Sequence, residues 1–230
     1  MEVNKIYQGD CLEVMKKFKT GSIDCVVTDP PFFMPAQHYA SRIHWQRNYG
    51  DLTPLKVFWG EVTKELRRVL KDDGHLFVFC NCDSYPVFYE PTYNNFDKLK
   101  SIVWNKGKVG LGRIFRNQHE LIIWARNEGC RYNDDHKLRS DVLTFSATAS
   151  SKREHPVEKP TAMLEQLILP TTFTGDIVLD PFCGSGTTLE AAKNLNRNYI
   201  GIELNPEYVK IAEERLRGTT PPLFKEPSSA

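Results

Sequence analysis

Between residues 177 and 217 the sequence alternates strand, helix, strand and helix with almost nothing in between, and this rhythm limits the possible folds most. Ile177-Val178-Leu179-Asp180 is a short apolar run, and residues 199–203 form another. Residues 187–195 and 206–217 carry apolar side chains at helical spacing, and the second of these opens on Pro206, which suits a first helical turn. A strand that rejoins its sheet through a helix lies parallel to its predecessor, and helices then cover both faces. Upstream, residues 22–28 end in an apolar strand stopped by Asp29-Pro30-Pro31. Residues 55–71 place Leu55, Phe58, Val62, Leu66, Val69 and Leu70 on one helical face, with Gly74 as the stop signal. Residues 75–80, 102–104 and 121–125 read as further strands, and residues 157–169 as a helix ended by Pro170. The expectation is an α/β chain: a mostly parallel, twisted sheet with helices on both faces, in a single domain over residues 1–217. Residues 218–230, rich in Pro and small residues, are expected to form a flexible tail. Residues 33–54 and about 83–153 fit the rhythm poorly, and long irregular segments in a compact domain usually carry function or disorder.

Composition removes several classes. The chain has 230 residues, 40% hydrophobic and 26% charged, which fits a folded globular protein. Its longest apolar runs are about five residues, as in residues 76–80, against the roughly 20 of a membrane-spanning helix. The start, Met1-Glu2-Val3-Asn4-Lys5, lacks the charged-then-apolar pattern of an export signal, which predicts a cytoplasmic protein. Six cysteines are scattered without metal-ligand spacing, so buried thiols and no metal are expected. A net charge of +1 does not announce a nucleic-acid partner. Its distribution is uneven, however. From Lys98 to His119 stand Lys98, Lys100, Lys106, Lys108, Arg113 and Arg116 with no acid, either a solvated face or a phosphate-binding one.

Two motifs carry chemistry. Asp180-Pro181-Phe182-Cys183-Gly184-Ser185-Gly186-Thr187-Thr188 joins a strand to a helix. Its glycines allow a tight turn and close approach of a ligand, and the N–H groups that open the helix favour an anionic group. Glu203 ends the next strand, 19 positions after Gly184, where an acid can accept from both hydroxyls of a ribose. A turn of this kind also serves simply to pack a helix on a strand. The third glycine of a dinucleotide fingerprint is missing, since Thr188 and Leu189 follow, which disfavours nicotinamide and flavin.

Asp29-Pro30-Pro31-Phe32 closes the strand at residues 22–28, on the edge where α/β sheets bind ligands. Consecutive prolines remove two N–H donors and leave carbonyl oxygens with fixed directions. With the acceptor-only carboxylate of Asp29 and the flat ring of Phe32, the turn suits a planar aromatic amine. An acidic turn that merely ends a strand would look the same.

The two motifs together resemble those of the DNA amino-methyltransferases: Asp29 to Phe32 their catalytic motif, Asp180 to Thr188 their S-adenosylmethionine loop. The order, catalytic motif first, resembles the circularly permuted β class. His155-Pro156-Val157-Glu158-Lys159-Pro160, Gly9-Asp10-Cys11 and residues 199–208 resemble further stretches of that class, and the likeness spans about residues 4–217. It implies a Rossmann-like methyltransferase fold and S-adenosylmethionine as cofactor. The cofactor site would comprise Asp180 and Phe182 flanking it, Gly184, Ser185, Gly186 and Thr187 around its amino-acid part, and Glu203 on the ribose. Asp10 would hold the adenine amino group, with Cys11 contributing backbone, and Lys159 would pair with the methionine carboxylate. Asp29 would border both sites. There Asp29 and the Pro30 carbonyl accept the two hydrogens of the target amine, with Pro31 stiffening the turn and Phe32 stacking on the base. The family more often has Tyr where Phe32 stands, a change that leaves stacking intact, and Thr-Gln where Val157-Glu158 stands.

The implied partner is double-stranded DNA, with the target base flipped out of the helix, since the amine is out of reach inside a duplex. Asp at position 29 favours adenine N6, because the cytosine-N4 enzymes that this chain resembles more often carry Ser there. Cytosine N4 is the alternative, and an RNA or protein amine a further one. Arg42 and Arg47, among the aromatics of residues 33–54, and Lys106, Lys108, Arg113 and Arg116 are the candidate DNA contacts, within a recognition region over about 83–153. The family also implies a restriction–modification setting, and its members commonly pair as homodimers.

Overall fold

A computed structural model describes residues 1–31, 52–110, 114–133, 139–146 and 159–219. Phe32, Arg42, Arg47 and Arg113 lie outside these residues, as do most of the 33–54 segment and residues 220–230. The elements run β1 (Lys5–Gln8), α1 (Cys11–Met15), β2 (Ile23–Thr28), α2 (Thr53–Val69), β3 (Leu70–Cys80), α3 (Tyr85–Tyr93), β4 (Lys98–Asn105) and β5 (His119–Arg126). Then follow β6 (Val142–Thr144), α4 (Thr161–Ile168), β7 (Ile177–Asp180), α5 (Thr187–Asn194), β8 (Asn198–Glu203) and α6 (Pro206–Gly218).

The strands form one sheet in the order β1-β8-β7-β2-β3-β5-β4-β6. From β1 to β3 every pairing is parallel. β5 then runs antiparallel to both β3 and β4, and the short β6 lies parallel to β4. β2 is buried at every position, so alternate side chains enter two separate cores. Val26 joins Met15, Trp59, Leu66 and Phe88 on the face covered by α1, α2 and α3. Cys25 and Val27 join Met163, Leu167, Leu189 and Leu216 under α4, α5 and α6. This is the mostly parallel, two-faced α/β architecture that the apolar rhythm implies. Among the described residues no helix is long and apolar enough to cross a membrane.

Three local expectations are corrected. Gly74 does not stop a helix: α2 ends at Val69, and Gly74 lies inside β3, where a Cβ would stand 2.7 Å from the Asp24 carbonyl oxygen. The glycine permits a close backbone approach. The helix expected from residue 157 begins at Thr161, because Pro160 is extended (φ −63°, ψ 124°) and its carbonyl takes the first amides of α4. α3 was not foreseen, since Pro86, Pro91 and three tyrosines give a poor helical signal. It is held from outside, by Trp59 of α2 donating its indole N–H to the Phe88 carbonyl (3.2 Å) and the Thr92 hydroxyl (3.1 Å).

At the edge away from the C-terminal ends of the parallel strands, the buried carboxylate of Asp24 ties three elements together. It accepts from Lys71 Nζ (2.6 Å) and the Ile177 amide (2.9 Å), and pairs with Arg131, which also reaches Asp176 (2.8 Å). Removing one partner of such a network strands the others in a poorly solvated place. Asp24→Asn is therefore expected to cost roughly 3 kcal/mol. Thermal unfolding measures it, and an unchanged midpoint would show that the network holds nothing.

Candidate active site

Because β2, β3, β7 and β8 run in one direction, Thr28, Cys80, Asp180 and Glu203 all end on one edge of the sheet. β4 and β5 meet that edge too, since Asn105 and His119 pair where β4 ends and β5 begins.

The turn after β7 is built as a cradle. Gly184 (φ +50°) and Gly186 (φ +84°) both take left-handed backbone, which a side chain would strain. A Cβ on Gly186 would also lie 2.8 Å from that of Ala212, so this glycine lets α6 close on α5 as well. On β8, a Cβ at Gly201 would meet Leu189 at 2.6 Å and Cys183 Sγ at 2.8 Å, a packing need the sequence did not advertise. Glu203 is fixed by two backbone amides: Oε2 accepts from Gly184 (3.0 Å) and Oε1 from Asn205 (2.7 Å). The acid and the glycine turn, 19 residues apart, thus form one unit. β1 brings Asp10 and Cys11 beside it, through the Gly9 amide donating to the Glu203 carbonyl (3.0 Å). Asp10 caps α1, its Oδ1 accepting from the amides of Leu12 (2.9 Å) and Glu13 (3.2 Å). Cys11 is buried and its thiol is pushed up to about 12, so it offers backbone and no nucleophile. Ser185 and Thr187 are buried, and the Thr187 hydroxyl accepts from Arg215 Nη1 at 2.6 Å. The Phe182 ring is half-buried and meets Phe58 edge-on, with centroids 6.1 Å apart.

Asp180 joins this cradle to the second motif. Its Oδ1 accepts from the Thr28 hydroxyl of β2 (2.9 Å) and the Phe182 amide (3.1 Å). Burial drives its carboxyl up to about 7, against those hydrogen bonds and one from Thr188. Thr28 immediately precedes Asp29, so this bond seats the Asp-Pro-Pro turn next to the glycine cradle.

Around Asp29 a lysine and a second acid gather. Lys159 Nζ, the residue expected to pair with the cofactor's carboxylate, donates to Asp29 Oδ2 at 2.6 Å and lies 3.5 Å from Glu120 Oε2. Glu120 in turn pairs with Lys106. Both ammonium groups face the Trp104 ring, Lys106 at 5.0 Å and Lys159 at 5.8 Å, and Lys159 also lies 5.2 Å from the Phe79 ring. Asp29 Oδ1 is buried and has no hydrogen-bond partner among the described residues. Burial pushes the Asp29 carboxyl above the ordinary range, and Lys159 offsets only part of that push. Pro30 is buried and Pro31 half-buried beside it. Sequence reasoning missed Glu120, Trp104 and Thr28. An acid opening an otherwise apolar strand was the one available signal for Glu120.

The basic run is less open than its sequence suggests. Lys98 pairs with Glu128 (3.2 Å), Lys100 with Asp141 (3.0 Å) and Lys106 with Glu120. Lys106, a candidate phosphate contact, thus stands half-buried in an ion pair with Glu120. Lys108 and Arg116 remain exposed between β4 and β5, the latter donating through Nε to the Gly110 carbonyl (2.6 Å). Among the described residues no group of three or more His, Cys, Asp and Glu could hold a metal ion.

Comparison with known proteins agrees with this geometry. A family model described as DNA methylase matches residues 23–214. The Type II methyltransferase M.HinfI of Haemophilus influenzae is 31% identical over 95% of this chain and 70% of its own length. The Type II methyltransferase M2.MboI of Moraxella bovis is 32% identical over 96% of this chain and 90% of its own. The crystal structure of the M1.HpyAVI–SAM complex superposes with a TM-score of 0.68 at 28% identity, covering 92% of this chain and 98% of that one.

The titration of Asp180 has a sign that can be tested. In an unfolded chain its carboxyl ionises near 3.9, so the folded protein holds that proton more tightly. The cost of burying the charge therefore grows from about pH 4 and is complete above about 7. Asp180→Asn is expected to gain stability relative to the native protein between pH 5 and pH 8, read by denaturant unfolding at both. Parallel pH dependence would mean that Asp180 is ionised throughout.

Proposed function

The chain belongs to the DNA methylase family, and we propose that it transfers a methyl group from S-adenosylmethionine to the exocyclic N6 of adenine in a short duplex site. The observation that carries this reading is the buried Asp29 Oδ1, which has no hydrogen-bond partner among the described residues and is held beside the glycine cradle by the Thr28–Asp180 hydrogen bond.

The cradle fits the cofactor. Glu203 has both oxygens oriented by backbone amides and lone pairs left over for two ribose hydroxyls. Gly184, Ser185, Gly186 and Thr187 would hold the amino-acid part at the start of α5, with Asp180 and Phe182 on its flanks. Asp10, one oxygen engaged as a helix cap, would take the adenine amino group through the other, with Cys11 adding backbone. When bound, S-adenosylmethionine supplies a methyl group on a positively charged sulfur.

The chain's own residues then do the rest. An aromatic amine is a poor nucleophile because its lone pair is delocalised into the ring. Asp29 Oδ1 and the Pro30 carbonyl accept its two hydrogens, which favours a pyramidal nitrogen whose lone pair points across the ring plane toward the methyl group. Asp29 Oδ1 is also the acceptor for the proton shed once the new N–C bond has formed. Lys159 on Oδ2 keeps the carboxylate oriented. Phe32 would stack on the flipped base. Cys183 is buried, with a thiol raised well above its ordinary range, so a covalent cysteine route is not supported. Adenine is favoured over cytosine because a carboxylate stands at position 29.

Mass spectrometry of nucleosides from unmethylated DNA, after incubation with the protein and S-adenosylmethionine, tests the reading. N6-methyladenine is expected, and its loss in Asp29→Ala with cofactor binding retained. N4-methylcytosine would keep the mechanism and change the base. Methylation of RNA or protein in place of DNA would overturn the substrate.

Lys108 and Arg116 stand exposed near the same edge and are proposed to meet phosphates. Replacing both by Ala is expected to weaken DNA binding, and to reduce the slope of log affinity against log salt by about 2. Cofactor binding, measured by calorimetry, should not move. Equal loss of both affinities would contradict this assignment.

A further inference from the structure

We infer that Glu120, with Lys106 behind it, is a positioning residue of the methyl-transfer site, acting on Asp29 through the ammonium of Lys159. The inference rests on the reading that Asp29 holds the target amine.

Four charged groups from distant parts of the chain converge here. Asp29 follows β2, Lys106 follows β4, Glu120 is the second residue of β5, and Lys159 precedes α4. Two positive and two negative groups are linked in a row, from Asp29 through Lys159 and Glu120 to Lys106. Lys159 is 6% exposed and Glu120 13%, and the walls are the Phe79 and Trp104 rings. Placing Lys159 and Glu120 so far from water is not an economical way to stabilise a fold, because apolar side chains of similar size do as well or better. The arrangement does serve to hold one carboxylate oxygen still. Lys159 has a strong hydrogen bond to Asp29 on one side, and on the other an ion pair with Glu120 at 3.5 Å, beyond good hydrogen-bond distance. Among the described residues Glu120 Oε2 has no hydrogen-bond partner within good distance, and it acts on Lys159 mainly through charge. The pull of Glu120 thus sets how much of the Lys159 charge Asp29 feels, and Lys106 sets the pull of Glu120.

The signs follow. Glu120 favours a protonated Asp29, whereas Lys159 and Lys106 favour an ionised one. Among the described residues, the Cys80 thiol of β3, pushed up by burial, and the Asp180 carboxyl of β7 also couple to Asp29. Cys80 also feels Glu120, but its thiol is pushed so high by burial that it stays neutral and adds no charge to the comparison.

The test is the pH profile of kcat/KM for DNA methylation by the native protein, Glu120→Gln and Lys106→Met. Glu120→Gln keeps the side chain's length and Lys106→Met shortens it by one atom; Lys106 is partly exposed, and folding is checked by the thermal midpoint. The acid limb is expected to move to lower pH in Glu120→Gln and to higher pH in Lys106→Met, each by roughly half a unit or more. kcat is expected to fall about tenfold in Glu120→Gln, with cofactor affinity retained. Superimposed limbs, or limbs shifted the same way, would overturn the inference while leaving the methyltransferase reading intact. Failure of the native protein to methylate DNA would overturn that reading first. Lys159→Met serves as the stronger variant, with its limb expected above that of Lys106→Met.

Discussion

One hydrogen bond, from the Thr28 hydroxyl to the Asp180 carboxylate, joins the two halves of the site. It is possible only because β2 and β7 are parallel neighbours, with Cys25 opposite Val178 and Val26 opposite Leu179. That register brings Asp180 and Asp29 to the same edge of the sheet, although they stand 151 positions apart in the chain. From Asp180 the glycine cradle extends toward β8 and Glu203; from Asp29 the Asp-Pro-Pro turn extends toward β3, β5 and the buried lysine. Chain order plays no part in this geometry. The Asp-Pro-Pro turn can precede the glycine turn because a parallel sheet collects its strand ends on one edge whatever order they arrive in.

How much of this was legible follows from which signals are local. The parallel core was readable because β2, β7 and β8 are continuous apolar runs between turn residues and helices with one apolar face. Glu203 could be matched to the glycine turn by spacing alone. Gly74 was misread because glycine marks both helix ends and close backbone approaches, and only the position of the Asp24 carbonyl separates them. The helix start near residue 160 was misplaced because proline suits a first turn and an extended cap alike. The protein partners of Lys159 could not be read locally at all, because Asp29 and Glu120 lie 130 and 39 positions away.

The same reasoning explains the basic run between Lys98 and Arg116. A segment without acids reads as a cationic surface, yet its charges are matched across strands and loops by Glu128, Asp141 and Glu120. What remains exposed is the far part of the β4–β5 connection, whose base is anchored to the active site through Lys106 and Glu120. A row of three ion pairs, Lys106–Glu120, Glu120–Lys159 and Lys159–Asp29, therefore links that connection to Asp29.

The most direct measurement is a crystal structure of the protein with a cognate duplex and an unreactive analogue of S-adenosylmethionine. The expected density shows an extrahelical adenine whose N6 lies within hydrogen-bond distance of Asp29 Oδ1 and the Pro30 carbonyl, while Lys159 remains on Oδ2. A base amine bound away from Asp29, or Lys159 swung onto the analogue's carboxylate with Asp29 released, would contradict the arrangement described above.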